Sequence, residues 1–302
     1  MQDVKLTTTR LMLLLLLLSG AIFLLLYSGV LFFRGEEVWA DSGKVRLHGE
    51  LVLPRWGQGP FPAAVIVHGS GPSTWQEMRG YARRLVPLGM AVLIYDKRGV
   101  GESTGTYRSI GVSRSESLLG ELASDASTWV DFLLRHPEVD ADRIGLIGGS
   151  QAGWIMPLAA HRNPRIRYFV AISGPAVSCG AEIYFSQLTG DDPGPYRELQ
   201  LSNQEIRSRL AGFRGPHGYD PVPVLSELEI PGLWLLGGMD RSVPTFATVS
   251  NLQRIMASSA VDYEIKEYPA GDHSLRNAQN GASIDYWRDL RAWLRRKGFV
   301  AN

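Results

Sequence analysis

Cysteine is nearly absent from this 302-residue chain, and the one present, Cys179, has no partner with which to close an internal disulfide. A small disulfide-stapled scaffold is therefore excluded. The six histidines, His48, His68, His136, His161, His217 and His273, include no pair three to five residues apart, so local zinc-ligand spacing is missing. No structural metal is argued for. Charge of one sign is also lacking: 31 Lys and Arg stand against 30 Asp and Glu, and no block gathers the basic residues. That pattern lacks the electrostatic footprint of a nucleic-acid binder. Neither nucleotide fingerprint is complete. Gly99-Val100-Gly101 is followed by Thr104 where a third glycine would complete G-x-G-x-x-G, and no G-x-x-x-x-G-K-[ST] loop occurs.

What is present is length enough for a sizeable core, with 45% hydrophobic residues, and one long apolar run. From Leu11 to Phe33 there is no charged residue, and Leu13 to Leu18 are six consecutive leucines. As a helix these 23 residues would reach about 35 Å, enough to cross a bilayer core. The run exceeds the h-region of a cleaved signal peptide, and cleavage after Ala21 would leave Ile22 to Tyr27 at the front of a soluble protein. Residues 1–34 are thus expected to form a short tail and a single-pass membrane anchor. Flanking charges do not decide its orientation. A short basic tail before a leucine-rich helix favours a signal anchor, with the amino terminus in the cytoplasm and the large domain outside.

Residues 35–302 read as one catalytic-size domain. Val45–Leu53 alternates like a half-exposed antiparallel strand. Five wholly apolar runs follow, at 63–67, 91–95, 144–147, 168–172 and 233–236, as expected of strands covered on both faces. Amphipathic stretches at 75–88, 118–135, 154–162, 245–258 and 284–297 alternate with them. This pattern predicts an α/β fold with a mostly parallel central sheet and helices on both faces. Residues 174–229 interrupt the alternation and read as a lid insertion, in which 196–210 has helical texture.

The strongest chemical signal is Gly148-Gly149-Ser150-Gln151-Ala152-Gly153, where an apolar strand runs into a serine among very small residues and then into a helix. It has the form of a nucleophile elbow, whose strained turn tolerates only small neighbours two residues to either side. Ala152 stands where G-x-S-x-G has its second glycine. A carboxylate follows at the end of the next strand but one, in Gly237-Gly238-Met239-Asp240, and a histidine at His273 in Gly271-Asp272-His273. Serine, acid, histidine in this chain order is what a hydrolase sheet requires. Each of Asp240 and His273 alone has a bland reading, as a turn or cap residue and as a solvated loop residue. Asp272 is a rival acid, but a sequence neighbour rarely holds an imidazole from behind. Acyl transfer also needs amide donors for a developing oxyanion, and His68-Gly69-Ser70-Gly71-Pro72 after the first apolar strand offers them. The amides of Ser70 and Gln151 are the expected pair, with Gly71 the next choice and His68 structural. The charged residues of Tyr95-Asp96-Lys97-Arg98 are expected to brace the rim.

Taken together, HGSGP, YDKRGVGES, GLIGGSQAG, GGMDRSVP and GDH resemble the α/β-hydrolase superfamily, in particular its bacterial branch of esterase-like, serine-aminopeptidase-like and dienelactone-hydrolase-like members. The resemblance covers nearly everything from about Val38. It implies a triad of Ser150, Asp240 and His273, an oxyanion hole at Ser70 and Gln151, and no cofactor; the substrate does not carry over, because the same triad cleaves esters, thioesters and amides, and a small ester or related acyl substrate of the carboxylesterase kind is the expectation. Trp154, Tyr184, Phe185, Tyr196 and Phe213 are candidates for an apolar substrate pocket or for ordinary lid core. Two rivals stay open: an aminopeptidase or amidase using lid acids such as Glu182, Asp191, Asp192 or Glu198, and a membrane-anchored binding protein without turnover.

Overall fold

In the computed structural model the described residues are 10–17, 19, 33–192, 194 and 200–301. Eight strands form one sheet in the order β1-β2-β4-β3-β5-β6-β7-β8. They are β1 (Phe33–Ser42), β2 (Val45–Pro54), β3 (Phe61–Val67), β4 (Ala91–Tyr95), β5 (Val139–Gly149), β6 (Phe169–Ile172), β7 (Gly232–Gly237) and β8 (Tyr263–Tyr268). β1 pairs antiparallel with β2, and β2 with β4, while all later pairings are parallel. Every residue of β3, β4, β6 and β7 is buried, which is why their sequences carry no polar alternation.

The helices are α1 (Arg79–Leu85), α2 (Ser115–Leu133), α3 (Ala152–Arg162), α4 (Cys179–Thr189), α5 (Asn203–Ala211), α6 (Val222–Glu227), α7 (Thr245–Ser258) and α8 (Tyr286–Arg296). Their apolar stripes split the core in two. α2, α3 and α7 close one face around Trp129, Trp154 and Trp234; α1 and α8 close the other around Tyr168, Trp287 and Trp293. This is the α/β-hydrolase fold.

Three expectations are corrected. Phe33 opens β1 instead of ending an apolar span, and the sequence reading missed this strand altogether. β2 is mostly buried, not half-exposed, because it lies between β1 and β4 and its Leu47, Leu51 and Leu53 enter the core. In the insertion between β6 and β7, the helix expected over 196–210 begins only at Asn203. There Ser202 and Glu205 form a reciprocal cap, the Ser-x-x-Glu signature of a helix start. Residues 195–199, including Tyr196 and Glu198, lie outside the described residues.

Most of the expected membrane span also lies outside them. Residues 10–17 are helical, and no helix among the described residues is long and apolar enough to cross a membrane.

Candidate active site

The parallel strands deliver the site to their carboxyl ends. β5 ends at Gly149, Ser150 turns the chain, and α3 starts at Ala152. Ser150 has φ of 56°, the left-handed region that a serine occupies only under strain, at a cost of about 1–3 kcal/mol. A backbone hydrogen bond from Ser150 N–H to the Ile172 carbonyl, 2.9 Å, ties this turn to β6. The missing second glycine is accommodated by the first. A Cβ on Gly148 would lie 2.4 Å from the Val67 carbonyl oxygen and 2.6 Å from the Ala152 methyl. The bare backbone at 148 therefore leaves room for the methyl at 152, which is fully buried.

Asp240 follows β7 in a turn that fixes it from both sides. Its Oδ1 accepts the backbone N–H groups of Ser242 and Val243, each at 2.8 Å, while its Oδ2 accepts from Nδ1 of His273 at 2.8 Å. The Asp240 side chain is fully buried, and that of His273 is one-third exposed. The pairing depends on a close approach of two loops. Met239 N–H donates to the Gly271 carbonyl and Gly238 N–H to the Tyr268 carbonyl, each at 2.8 Å. A Cβ at Gly237 would sit 2.4 Å and 2.5 Å from the Asp272 and Gly271 carbonyl oxygens. Gly237→Ala should accordingly push the histidine loop off Asp240 and lower kcat/KM by about 100-fold, the order expected of a displacement near 1 Å. Steady-state kinetics beside a melting curve checks that the loss is catalytic. Asp272 is no rival: its Oδ1 accepts the N–H groups of Ser274 and Arg276 and shapes the loop.

A cavity of about 560 Å³ opens onto Ser150 and is lined also by Ser70, Gln151, Trp154, Glu182 and Val243. Among the described residues, neither the Ser70 nor the Gln151 amide donates to another protein group. The Ser70 loop is held by Tyr107, whose hydroxyl donates to the Ser70 carbonyl at 2.7 Å. His68 is turned away: its Nε2–H donates to the Tyr95 carbonyl at 2.6 Å, and burial together with the Lys97 charge holds its pKa down at about 3. Of the aromatic candidates, Trp154 lines this cavity and is anchored through Nε1–H to the Val177 carbonyl. Phe185 packs in a separate lid core with Leu188, Ile206 and Leu210, and Tyr184 stacks on Phe213 with ring centroids 5.0 Å apart. Cys179 is fully buried, and burial first, then the Glu182 charge, pushes its thiol up to about 12.

The rim residues differ among themselves. Asp96 accepts from His48 Nδ1, Trp75 N–H and Glu102 N–H, and Arg98 grips Asp125 through two bonds. These brace the rim as expected. Lys97 does not, for its ammonium points at the Gly69 carbonyl and the Gln151 side chain, an arrangement the sequence reading did not anticipate.

Residues 78–298 match the prolyl oligopeptidase family. The chain belongs to that family. Among its curated relatives are an acylamino-acid-releasing enzyme 1 of Oryza sativa subsp. japonica, 27% identical over 85% of this chain and 32% of the relative. Another is the esterase EstD of Thermotoga maritima, 28% identical over 65% of this chain and 50% of the relative. The chain thus spans a third to a half of the length of these two relatives. Among solved structures, an esterase of Pyrococcus furiosus covers 89% of this chain and 92% of its own with a TM-score of 0.65 at 20% identity, a likeness of fold.

The electrostatics of the histidine bear on rate. Burial alone would lower the His273 pKa, but the hydrogen bond and charge of Asp240, with Asp191 and Glu182, outweigh it and raise the net value above the ordinary 6.5. A general base must be neutral to act. With His273 as the base, the acid limb of kcat/KM should have its midpoint above 6.5; a pH–rate profile with a midpoint below 6.5 would contradict this.

Proposed function

We propose that the protein is a serine hydrolase that cleaves a carboxylic ester or related acyl bond through an acyl-enzyme on Ser150. The observation that carries this reading is the 2.8 Å bond between His273 Nδ1 and the buried Asp240, on the strand-end rim that also bears the strained Ser150. In the reaction, His273 Nε2 takes the Ser150 proton as Oγ attacks the substrate carbonyl carbon. The tetrahedral oxyanion accepts from the Ser70 and Gln151 amides. Collapse expels the alcohol, which receives the proton from His273, and water then repeats the sequence to release the acid. Asp240 stays ionised throughout and fixes the imidazole tautomer. A panel of p-nitrophenyl esters of graded acyl length tests the reading: turnover of at least one member, lost in Ser150→Ala, is expected, and no turnover by folded full-length protein would contradict it.

A second reading is favoured by one feature of the cavity. Glu182, Asp191 and Asp192 line it, and among the described residues no lysine or arginine does. Burial foremost, with the neighbouring Asp240, Asp192 and Asp191, raises the Glu182 carboxyl to about 8. A substrate ammonium there would restore its negative charge, as an aminopeptidase or amidase requires. Aminoacyl-anilides turned over faster than the neutral esters would favour this reading. If neither class reacts, a binding protein without turnover takes their place.

We further propose that the apolar run before β1, residues 11–32, anchors the chain in the cell membrane, with the hydrolase domain outside the cytoplasm. In support, Leu11 and Leu13–Leu17 remain 57–67% exposed against the rest of the protein. Retention in membranes washed with alkaline carbonate is expected; release would contradict it.

A further inference from the structure

Lys97 lies two residues past the end of β4 and is only 3% exposed, yet among the described residues it forms no ion pair. The acid and the base beside it are committed elsewhere: Asp96 to His48, Trp75 and Glu102, and Arg98 to Asp125 and Glu121. A buried ammonium without a counter-ion is costly to keep, so it calls for a role. Its acceptors are all neutral oxygens. Nζ donates to the Gly69 carbonyl at 2.6 Å and to Gln151 Oε1 at 3.0 Å, and it reaches the Gly71 carbonyl at 3.4 Å.

The first of these contacts has a chemical consequence. The Gly69 carbonyl and the Ser70 N–H belong to one peptide unit, and a cation on the carbonyl draws density from the nitrogen and makes its N–H a stronger donor. The second contact holds the side chain of Gln151, whose N–H is the other donor. One cation thus ties together both arms of the oxyanion hole and adds positive charge behind them, where a water-excluded site gives it weight. We propose that Lys97 is a positioning residue that aligns and polarises the Ser70 and Gln151 amides, so that its charge speeds turnover without touching substrate. The inference rests on the serine-hydrolase reading above.

The groups facing Lys97 leave its titration visible. From the loop after β3 comes His68, which stays neutral because its pKa lies at about 3; the Tyr107 ring lies 5.6 Å from Nζ; on its own strand end, Asp96 is turned toward His48. Burial lowers the Lys97 ammonium to about 8. Its charge is present below that pH and lost above it, so kcat/KM should fall on the alkaline side with a midpoint near 8.

The test uses full-length wild type, Lys97→Met and Lys97→Arg, with p-nitrophenyl butyrate from pH 5 to 10 and melting curves alongside. Removing one oxyanion donor outright costs about 100- to 1000-fold, so weakening two is expected to cost Lys97→Met at least about 10-fold in kcat with KM within about twofold. The alkaline limb should vanish in Lys97→Met and move beyond pH 10 in Lys97→Arg, whose guanidinium stays charged, at roughly the limit set by arginine. A structural role alone would not move that limb, and Lys97→Arg decides the question if Lys97→Met fails to fold. A folded Lys97→Met with kcat within about twofold of wild type, or an alkaline limb still near 8 in Lys97→Arg, overturns the inference. Turnover that survives Ser150→Ala overturns the underlying hydrolase reading instead.

Discussion

Replacing Ser150 by alanine is expected to lower kcat/KM for any turned-over ester by about 10⁴- to 10⁶-fold while leaving the fold intact. The size follows from the mechanism. Without Oγ there is no acyl-enzyme, and what remains is the modest acceleration of an oxyanion hole acting on bound substrate and water. The fold should survive because the elbow is held by backbone. The Ser150 N–H bond to Ile172 and the Gly148–Ala152 contact are both kept, and the hydroxyl itself makes no hydrogen bond among the described residues. Alanine also takes up the same left-handed backbone that serine does, so the melting temperature should change little. Kinetics with a melting curve on the same preparation checks both halves, and residual activity within tenfold of wild type would mean another nucleophile.

The second large effect is expected from Asp240→Asn, about 10⁴-fold in kcat. Here the geometry of the two carboxylate oxygens matters. Oδ1 accepts from the Ser242 and Val243 amides, and an asparagine oxygen can keep both bonds. The asparagine NH₂ then takes the place of Oδ2 and faces His273 Nδ1 as a donor. The imidazole must present Nδ1 as an acceptor, which moves its proton to Nε2, where a base for Ser150 needs a lone pair. Catalysis is lost through the wrong tautomer and not through a disordered loop. Comparison with Asp240→Ala, which breaks the turn as well, separates the two causes: the alanine variant should also melt earlier, and the asparagine variant should not.

Much of this arrangement was legible in the sequence because it is local. A strand covered on both faces has to be apolar throughout, so β3, β4, β6 and β7 stand out as unbroken runs. The elbow is marked by small residues whose necessity lies within five positions of the serine. The order of Ser150, Asp240 and His273 follows from strand ends reaching one rim, and the structure brings the last two into contact.

What was not legible depends on distant segments meeting. β1 carries Glu36 and Glu37 and directly follows an apolar run, so its pattern is blurred; it exists through ten paired residues of β2. The fixing of the histidine loop by Gly237 and Gly238 involves contacts some thirty residues away. Lys97 looks like any charged rim residue in its motif, and only the convergence of the Gly69 loop, the elbow and β4 turns its ammonium inward. The lid aromatics stayed open between pocket and lid core for the complementary reason. Aromatics near a site in sequence need not face it, and Phe185, Tyr184 and Phe213 found partners inside the lid.

The central claim is that Ser150 is an activated nucleophile, and a fluorophosphonate probe reads this directly. Full-length protein is incubated with the probe near pH 8, digested, and the adduct located by mass spectrometry, with His273→Ala as a control for activation. The expected result is a single adduct on the peptide bearing Ser150, formed far more slowly in the His273 variant. A folded wild-type protein that forms no adduct, or one whose adduct sits on another residue, would contradict the account.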